Sequence, residues 1–249
     1  MKVTIITAVY NNVQNIEQAI HSVQNQTYKN IEHIVIDGNS SDGTKELLEK
    51  HKSSFSFYIS EPDNGIYDAL NKGLKQATGD IIGFLHSDDL FANEQIIETI
   101  VDTFISHSCH GVYGDLLYVN RENPDVVIRN WKSTPYNTSL LKKGWMPPHP
   151  TLFLRKQVYD ENGLFDTSFK IAADYNFILK IFSNPKYSFI YIPTVFTRMR
   201  IGGKSSTIKN LYKKSKEDYI ALRSNRIGGF YTLFVKNFSK IGQFFMKKK

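Results

Sequence analysis

Within residues 3–89 the chain repeats one course: a short apolar stretch rich in β-branched residues, then an abrupt polar cluster. Val3 to Val9 ends at Tyr10-Asn11-Asn12, and Ile31 to Ile36 ends at Asp37-Gly38-Asn39-Ser40. Phe55 to Ile59 ends at Glu61-Pro62, and Ile81 to Leu85 at His86-Ser87-Asp88-Asp89. Helical spacing fills the gaps. Ile16, Ala19, Ile20 and Val23 fall on one face, as do Ile96, Ile97, Ile100, Val101 and Phe104 after the fourth stretch. Ser41 or Asp42 can cap a short helix to about His51, and Ile66 to Gln76 reads as another, stopped by Thr78-Gly79-Asp80. Strand and helix in alternation predict an α/β fold, a Rossmann-like, mostly parallel sheet flanked by helices. Such sheets bind ligands beyond the carboxyl ends of their strands. The polar clusters therefore describe one rim of a site.

The second half is less regular. Strands are expected at Gly111–Val119, Val126–Trp131, Thr151–Arg155 and Tyr187–Arg200, with a helix over Ala172–Ser183 and a Gly202–Ser206 loop. The pattern divides the chain into residues 1–110, 111–205 and a basic tail, 206–249. Apolar residues make up 41%, enough for a packed core. The lone cysteine, Cys109, excludes an internal disulfide and a cysteine zinc site, and suits a reducing, cytoplasmic setting. The opening apolar run is too short for a signal-peptide core, and no stretch is long enough for a spanning helix.

The carboxylates at the strand ends carry chemistry. Asp88 and Asp89 are adjacent, and adjacent carboxylates repel unless a positive group sits beside them. Mg²⁺ or Mn²⁺, held by oxygen ligands and a substrate phosphate, is a natural partner; a helix N-cap with a neighbour on the dipole is the alternative. Asp37 can hydrogen-bond a base or ribose, or close an Asx turn. Asp68 and Lys72 share a helix face, as a surface ion pair or as part of a rim whose helix N-terminus favours phosphate. Phosphate-loop, dinucleotide, nucleophile-elbow and HExxH signatures are all missing from the sequence.

Four segments in order carry a resemblance. They are Val-Thr-Ile-Ile-Thr-Ala-Val-Tyr-Asn-Asn from Val3, Ile-Val-Ile-Asp-Gly-Asn-Ser-Ser-Asp-Gly-Thr from Ile34, Asn-Gly-Ile-Tyr-Asp-Ala-Leu-Asn-Lys-Gly from Asn64, and Gly-Asp-Ile-Ile-Gly-Phe-Leu-His-Ser-Asp-Asp from Gly79. Together they resemble family 2 glycosyltransferases, inverting enzymes of the GT-A fold that use nucleotide-sugar donors. The resemblance spans residues 3–95 and continues more weakly to about Arg200. It implies a nucleotide pocket lined by Thr7, Val9, Asn11 and Asp37, with Asp68 and Lys72 near the base and diphosphate. It implies metal binding at Asp89, with Asp88 on the ribose or the metal, although His86 stands where many relatives carry an acid. It places the catalytic base at Asp174, in Ile171-Ala172-Ala173-Asp174-Tyr175, with Ala173 replacing a common Glu. Asp166 is the rival, in a segment more like a structural turn. His149 and Trp145 would lie beside the acceptor, with weaker expectations for Arg198 and Arg200. A UDP-sugar donor is favoured.

Charge separates the tail from the body. Residues 1–197 hold 17 basic and 22 acidic side chains, whereas Arg198 onward holds 14 and 2. Phe230, Tyr231, Phe234, Phe238, Ile241 and Phe245 step at helical spacing, with Lys236, Lys240, Gln243 and Lys247 expected opposite. A basic amphipathic helix with an aromatic face suits an anionic membrane surface, and packing on the body is the alternative. A lipid-linked saccharide acceptor, in bacterial surface polysaccharide synthesis, would agree with it. A non-catalytic nucleotide-sugar binder, an enzyme that makes the donor and a nucleic-acid binder are competing functions; no nucleic-acid motif supports the last.

Overall fold

The computed structural model describes residues 1–202 and 208–245. In chain order it contains β1 (Val3–Val9), α1 (Ile16–Gln24), β2 (Ile31–Asp37), α2 (Thr44–His51), β3 (Phe57–Ser60), α3 (Ile66–Gln76), β4 (Ile81–Phe84), β5 (Leu90–Phe91) and α4 (Ile96–Ser106). β6 (Gly111–Val119), β7 (Val127–Trp131), α5 (Ser139–Lys142), β8 (Phe153–Arg155), α6 (Lys156–Asn162), α7 (Ala173–Phe182), β9 (Phe189–Arg200), α8 (Ile208–Ser224) and α9 (Phe230–Phe245) follow.

The first half is the predicted parallel sheet. β1 runs between β2 and β4, and β3 lies outside β2, all parallel. Successive β1 residues face opposite ways. Ile6 and Ala8 join one core with Leu70 and Leu74 of α3, Val158 of α6 and Phe177 of α7. Ile5 and Val9 join the other with Ile16 and Ile20 of α1 and Ile97 of α4. Every β1 residue is buried, because helices cover both faces.

The second half departs from a mostly parallel sheet. β8 enters antiparallel between β4 and β6, β9 returns parallel to β6, and β5 and β7 pair antiparallel with β9 and β6. The result is one mixed sheet in the order β3-β2-β1-β4-β8-β6-β9-β5, with β7 beside β6. The strand predicted from Thr151 begins at Phe153 because His149–Thr151 form a 3₁₀ turn. α5 and α6 were not anticipated, and neither was the two-residue β5; the tail expected to be helical over 206–249 contains two helices, α8 and α9.

The tail helix contradicts its predicted polar face. Lys236 is 2% exposed and pairs with Asp218 of α8 at 2.9 Å, its ammonium over the Tyr175 ring. Phe230, Tyr231 and Phe234 are exposed instead. Burial of a lysine is tolerable only with such a partner, and this pairing turns the helix. Gly203 to Ser206 of the predicted loop, and Lys247 to Lys249, lie outside the described residues, as do the side chains from Phe238 on.

Gly83 of β4 is where β8 is admitted. A β-carbon there would lie 2.2 Å from the Phe153 ring. Gly83→Ala is expected to cost about 1–3 kcal/mol by overpacking, read as a lower midpoint in urea unfolding at unchanged slope.

Candidate active site

Register brings the predicted clusters together. Val9 pairs with Asp37 and Ile6 with Phe84, so the loops after β1, β2 and β4 emerge side by side. Asn12 bridges two of them, its amide donating to the Ser87 hydroxyl at 2.9 Å. Asn11 takes a positive φ of 50° and accepts from the Ser41 N–H at 2.9 Å, while its own N–H donates to Ser40. Asp37 is fully buried at the end of β2. It accepts from the Ser40 N–H and hydroxyl, and from the Ser60 hydroxyl at 2.6 Å.

Two predicted pocket residues point into the fold. The Val9 side chain belongs to the core beside α1. The Thr7 hydroxyl lies 3.1 Å from His33 Nε2, and burial lowers that imidazole to about 4, so it is neutral. The expected Asp68–Lys72 pair is replaced by others. Asp68 accepts from the Asn64 N–H at 3.0 Å, before α3, and Lys72 binds Glu61 at 2.7 Å and the Pro62 carbonyl at 2.9 Å. Both stay at the rim, on the helix that rises from it.

Asp89 is the most unusual carboxylate. It is 1% exposed, and its Oδ2 is buried without a hydrogen-bond partner among the described residues. Its Oδ1 accepts the Arg200 N–H, at 3.3 Å. Burial first, and Asp88 second, hold its carboxyl well above the usual range, against the pull of Arg200. An inward carboxylate oxygen with no donor fits a hard divalent cation, which would supply the missing charge. Asp88, the preceding residue in the same loop, is half-buried.

Arg200 holds this loop rather than an acceptor. Its guanidinium donates to the carbonyls of Asp88 and Arg121 and to Gln18 of α1. Arg198 pairs at the surface with Asp125 at 3.0 Å. Asp166 closes a local turn, accepting from the Ser168 N–H at 2.9 Å. That agrees with its structural reading and leaves Asp174 alone as the base candidate from this region.

Asp174 opens α7, and both its oxygens are addressed by other elements. The Tyr67 hydroxyl of α3 lies 2.8 Å from Oδ1 and 2.8 Å from the Ile171 carbonyl. His149 Nδ1 lies 3.4 Å from Oδ2. Burial alone would raise this carboxyl; the charge on His149, the Tyr67 hydroxyl, the Lys214 charge and the Tyr175 N–H together bring it below its ordinary value. Asp174 is therefore ionised at neutral pH. The His149 ring sits 5.7 Å from that of His86, and His86 feels the charges of both Asp88 and Asp174. Burial keeps His86 neutral, with Nδ1 unpartnered among the described residues. The two halves thus meet in a chain of titratable groups from Asp88 through His86 and His149 to Asp174.

Trp145 lies two residues before Pro147-Pro148-His149 and stacks on Tyr136 with ring centres 5.7 Å apart. It also lines a cavity of about 350 Å³ with Tyr118, Arg129, Trp131, Lys143 and Lys236. Tyr67 was missed as a functional residue although it lies inside the Asn64–Gly73 segment. A buried tyrosine in a helix reads as core until its hydroxyl is seen to meet Asp174.

Known proteins resemble this chain in sequence and in fold. An uncharacterized glycosyltransferase of Mycobacterium tuberculosis is 33% identical over 180 residues, covering 72% of this chain and 68% of the relative. A PGL/p-HBAD biosynthesis glycosyltransferase of Mycobacterium bovis is 25% identical over 210 residues, covering 82% and 79%. S. aureus TarS 1-349, solved with UDP-GlcNAc, superposes with a TM-score of 0.69 at 19% identity, over 89% of this chain and 66% of that one. This chain therefore spans just under two thirds of that solved protein. The mannosyltransferase PcManGT from Pyrobaculum calidifontis, solved with GDP-Man and Mn²⁺, has a TM-score of 0.68 at 17% identity, over 95% and 69%. These likenesses agree with the α/β mixed sheet as the GT-A fold. Residues 4–165 match the model of Glycosyl transferase family 2, and the chain belongs to that family.

Proposed function

We propose that this protein transfers a sugar from a nucleotide diphosphate donor, a UDP-sugar first, to a hydroxyl of a saccharide or lipid-linked saccharide, with inversion. The observation that carries the reading is the ionised Asp174, fixed by Tyr67 and facing His149, across from the unsatisfied Asp89. Asp174 takes the proton of the acceptor hydroxyl as that oxygen attacks the anomeric carbon. The bond to the nucleoside diphosphate breaks, and the sugar inverts.

His149 offsets the Asp174 charge from the Oδ2 side, the oxygen that would meet the acceptor. Tyr67 prevents the carboxylate from rotating away. Asp89 and Asp88 would hold Mn²⁺ or Mg²⁺, whose chemistry is to neutralise charge growing on the leaving diphosphate. Lys72, once drawn from Glu61, adds to that neutralisation. Asn11, Asp37 and Asp68 border the nucleotide, and Val9 and Thr7 support it from within. The Asp37 carboxylate must yield its serine partners to meet a base directly. Trp145 and Trp131 offer flat faces for an acceptor sugar. UDP-GlcNAc in TarS and GDP-Man with Mn²⁺ in PcManGT support a nucleotide-sugar donor and a divalent ion.

We also place the acceptor at an anionic membrane, with the enzyme peripheral on the cytoplasmic face. Phe230 and Tyr231 are 75% and 78% exposed on α9, in a tail with 14 basic and 2 acidic side chains from Arg198 on. Aromatic rings beside a cationic surface suit the lipid interface. Among the described residues no helix is long and apolar enough to cross a membrane.

Three measurements test the reading. Thermal unfolding with UDP, GDP and dTDP, with and without Mn²⁺, is expected to show metal-dependent stabilisation by one nucleotide, lost in Asp89→Ala. No stabilisation of wild-type protein by any of them sinks the donor site. Asp174→Asn is expected to lower turnover about 10²- to 10⁴-fold while keeping that stabilisation. Retained turnover removes Asp174 as the base, and nucleotide binding without wild-type turnover identifies a binding protein. Removing the His149 charge raises the Asp174 carboxyl, so His149→Ala should lose activity at higher pH than wild type as acid is added. An unmoved acid limb breaks that link.

A further inference from the structure

α7 has no side-chain cap from its own N-terminal residue, Ala172. The N–H groups before it are taken up from another element. Those of Lys170, Ile171 and Ala172 donate to the Glu217 carboxylate of α8, at 3.1, 2.8 and 2.9 Å. Glu217 is 8% exposed, and its two oxygens face three converging backbone donors. A buried carboxylate is held in place by such bonds, and they fix the donors in return. On the other side, Tyr67 of α3 meets the Ile171 carbonyl and Asp174. Residues 170–174 are therefore clamped between α8 and α3.

We propose that Glu217 is a positioning residue that fixes Asp174 by binding the backbone of residues 170–172. Its catalytic meaning rests on the glycosyl-transfer reading above, and its structural meaning rests on the hydrogen bonds alone. The neighbouring residue separates this role from simple anchoring of α8. Asp218 already ties α8 to Lys214 and to Lys236 of α9. Of the two neighbours it is Glu217 that reaches the loop that delivers Asp174. The tail thereby becomes part of the transferase site.

The test uses the full chain. Glu217→Gln keeps the size of the side chain, but its amide nitrogen faces N–H groups that need an acceptor. Glu217→Asp keeps the charge with a shorter reach. Backbone amide exchange over residues 170–172 is expected to speed up at least about tenfold in Glu217→Gln, and less in Glu217→Asp. Release of nucleoside diphosphate from UDP-GlcNAc, UDP-glucose or GDP-mannose, with water as acceptor, is the second readout. A misplaced base costs about tenfold to a hundredfold in kcat, and KM for the donor should stay within about twofold, since Glu217 touches no donor residue.

Unchanged exchange in Glu217→Gln overturns the proposal. Faster exchange with wild-type kcat also overturns it, as does an equal fall in donor affinity, which marks general loss of structure. Should Glu217→Gln fail to fold, Glu217→Asp carries the same two comparisons. A wild-type chain that releases no nucleoside diphosphate from any of the three donors, and is stabilised by none, sinks the transferase reading itself. The exchange result then assigns Glu217 to loop anchoring and removes its catalytic role.

Discussion

The site depends on a carboxylate that the protein buries and does not satisfy. Asp89 sits where β4 ends, 1% exposed, with one oxygen facing no donor among the described residues. Burying an unpaired charge is unfavourable, and burial pushes this carboxyl well above the usual carboxylate range. The surrounding residues keep it there regardless. Arg200 grips the loop through the Asp88 carbonyl and reaches back to Gln18 of α1, so the strand end cannot relax outward. Sheet, brace and helix together hold a site in the state that a cation and a diphosphate would complete.

The proposed base is built on the opposite logic. Asp174 is ionised because charges and donors from separate elements overcome its burial: His149 from the 3₁₀ turn, Tyr67 from α3 and Lys214 from α8. One carboxyl is pushed up by isolation and the other brought down by company. His149 meets Asp174, and its ring centre lies 5.7 Å from that of His86, which feels the charges of Asp88 and Asp174. Two carboxylates pushed in opposite directions can divide the work, one receiving a cation and the other a proton.

The rim was legible in the sequence because it depends on period. β-branched runs broken by polar clusters give strands and strand ends, and Asp37, Asp88 and Asp89 lie where that pattern places them. The faces were less legible. Thr7 and Val9 belong to a strand covered on both sides, so a polar side chain such as Thr7 could turn inward to His33. β8 is three residues long, too short to show a period, and its antiparallel entry depends on the missing β-carbon at Gly83. Buried ionisable residues were the least visible. Hydropathy sends Lys236 and Glu217 to the surface; Asp218 and the Tyr175 ring on one side, and three backbone N–H groups on the other, make their burial tolerable.

These two burials decide what the tail is. Had Lys236 faced water, α9 would have turned its aromatic side inward and become an ordinary packed helix. The ion pair to Asp218 fixes the other rotation and leaves Phe230, Tyr231 and Phe234 outward. Grouped exposed aromatics are unfavourable in water, and such patches generally mark interaction surfaces. On α8, Asp218 and Glu217 are consecutive: one holds α9, and the other holds the backbone ahead of Asp174. A surface that engages α9 is thus linked to the base by two adjacent side chains on one helix. If that surface is a bilayer bearing the acceptor, the residues that orient the enzyme on it also complete the site that uses it.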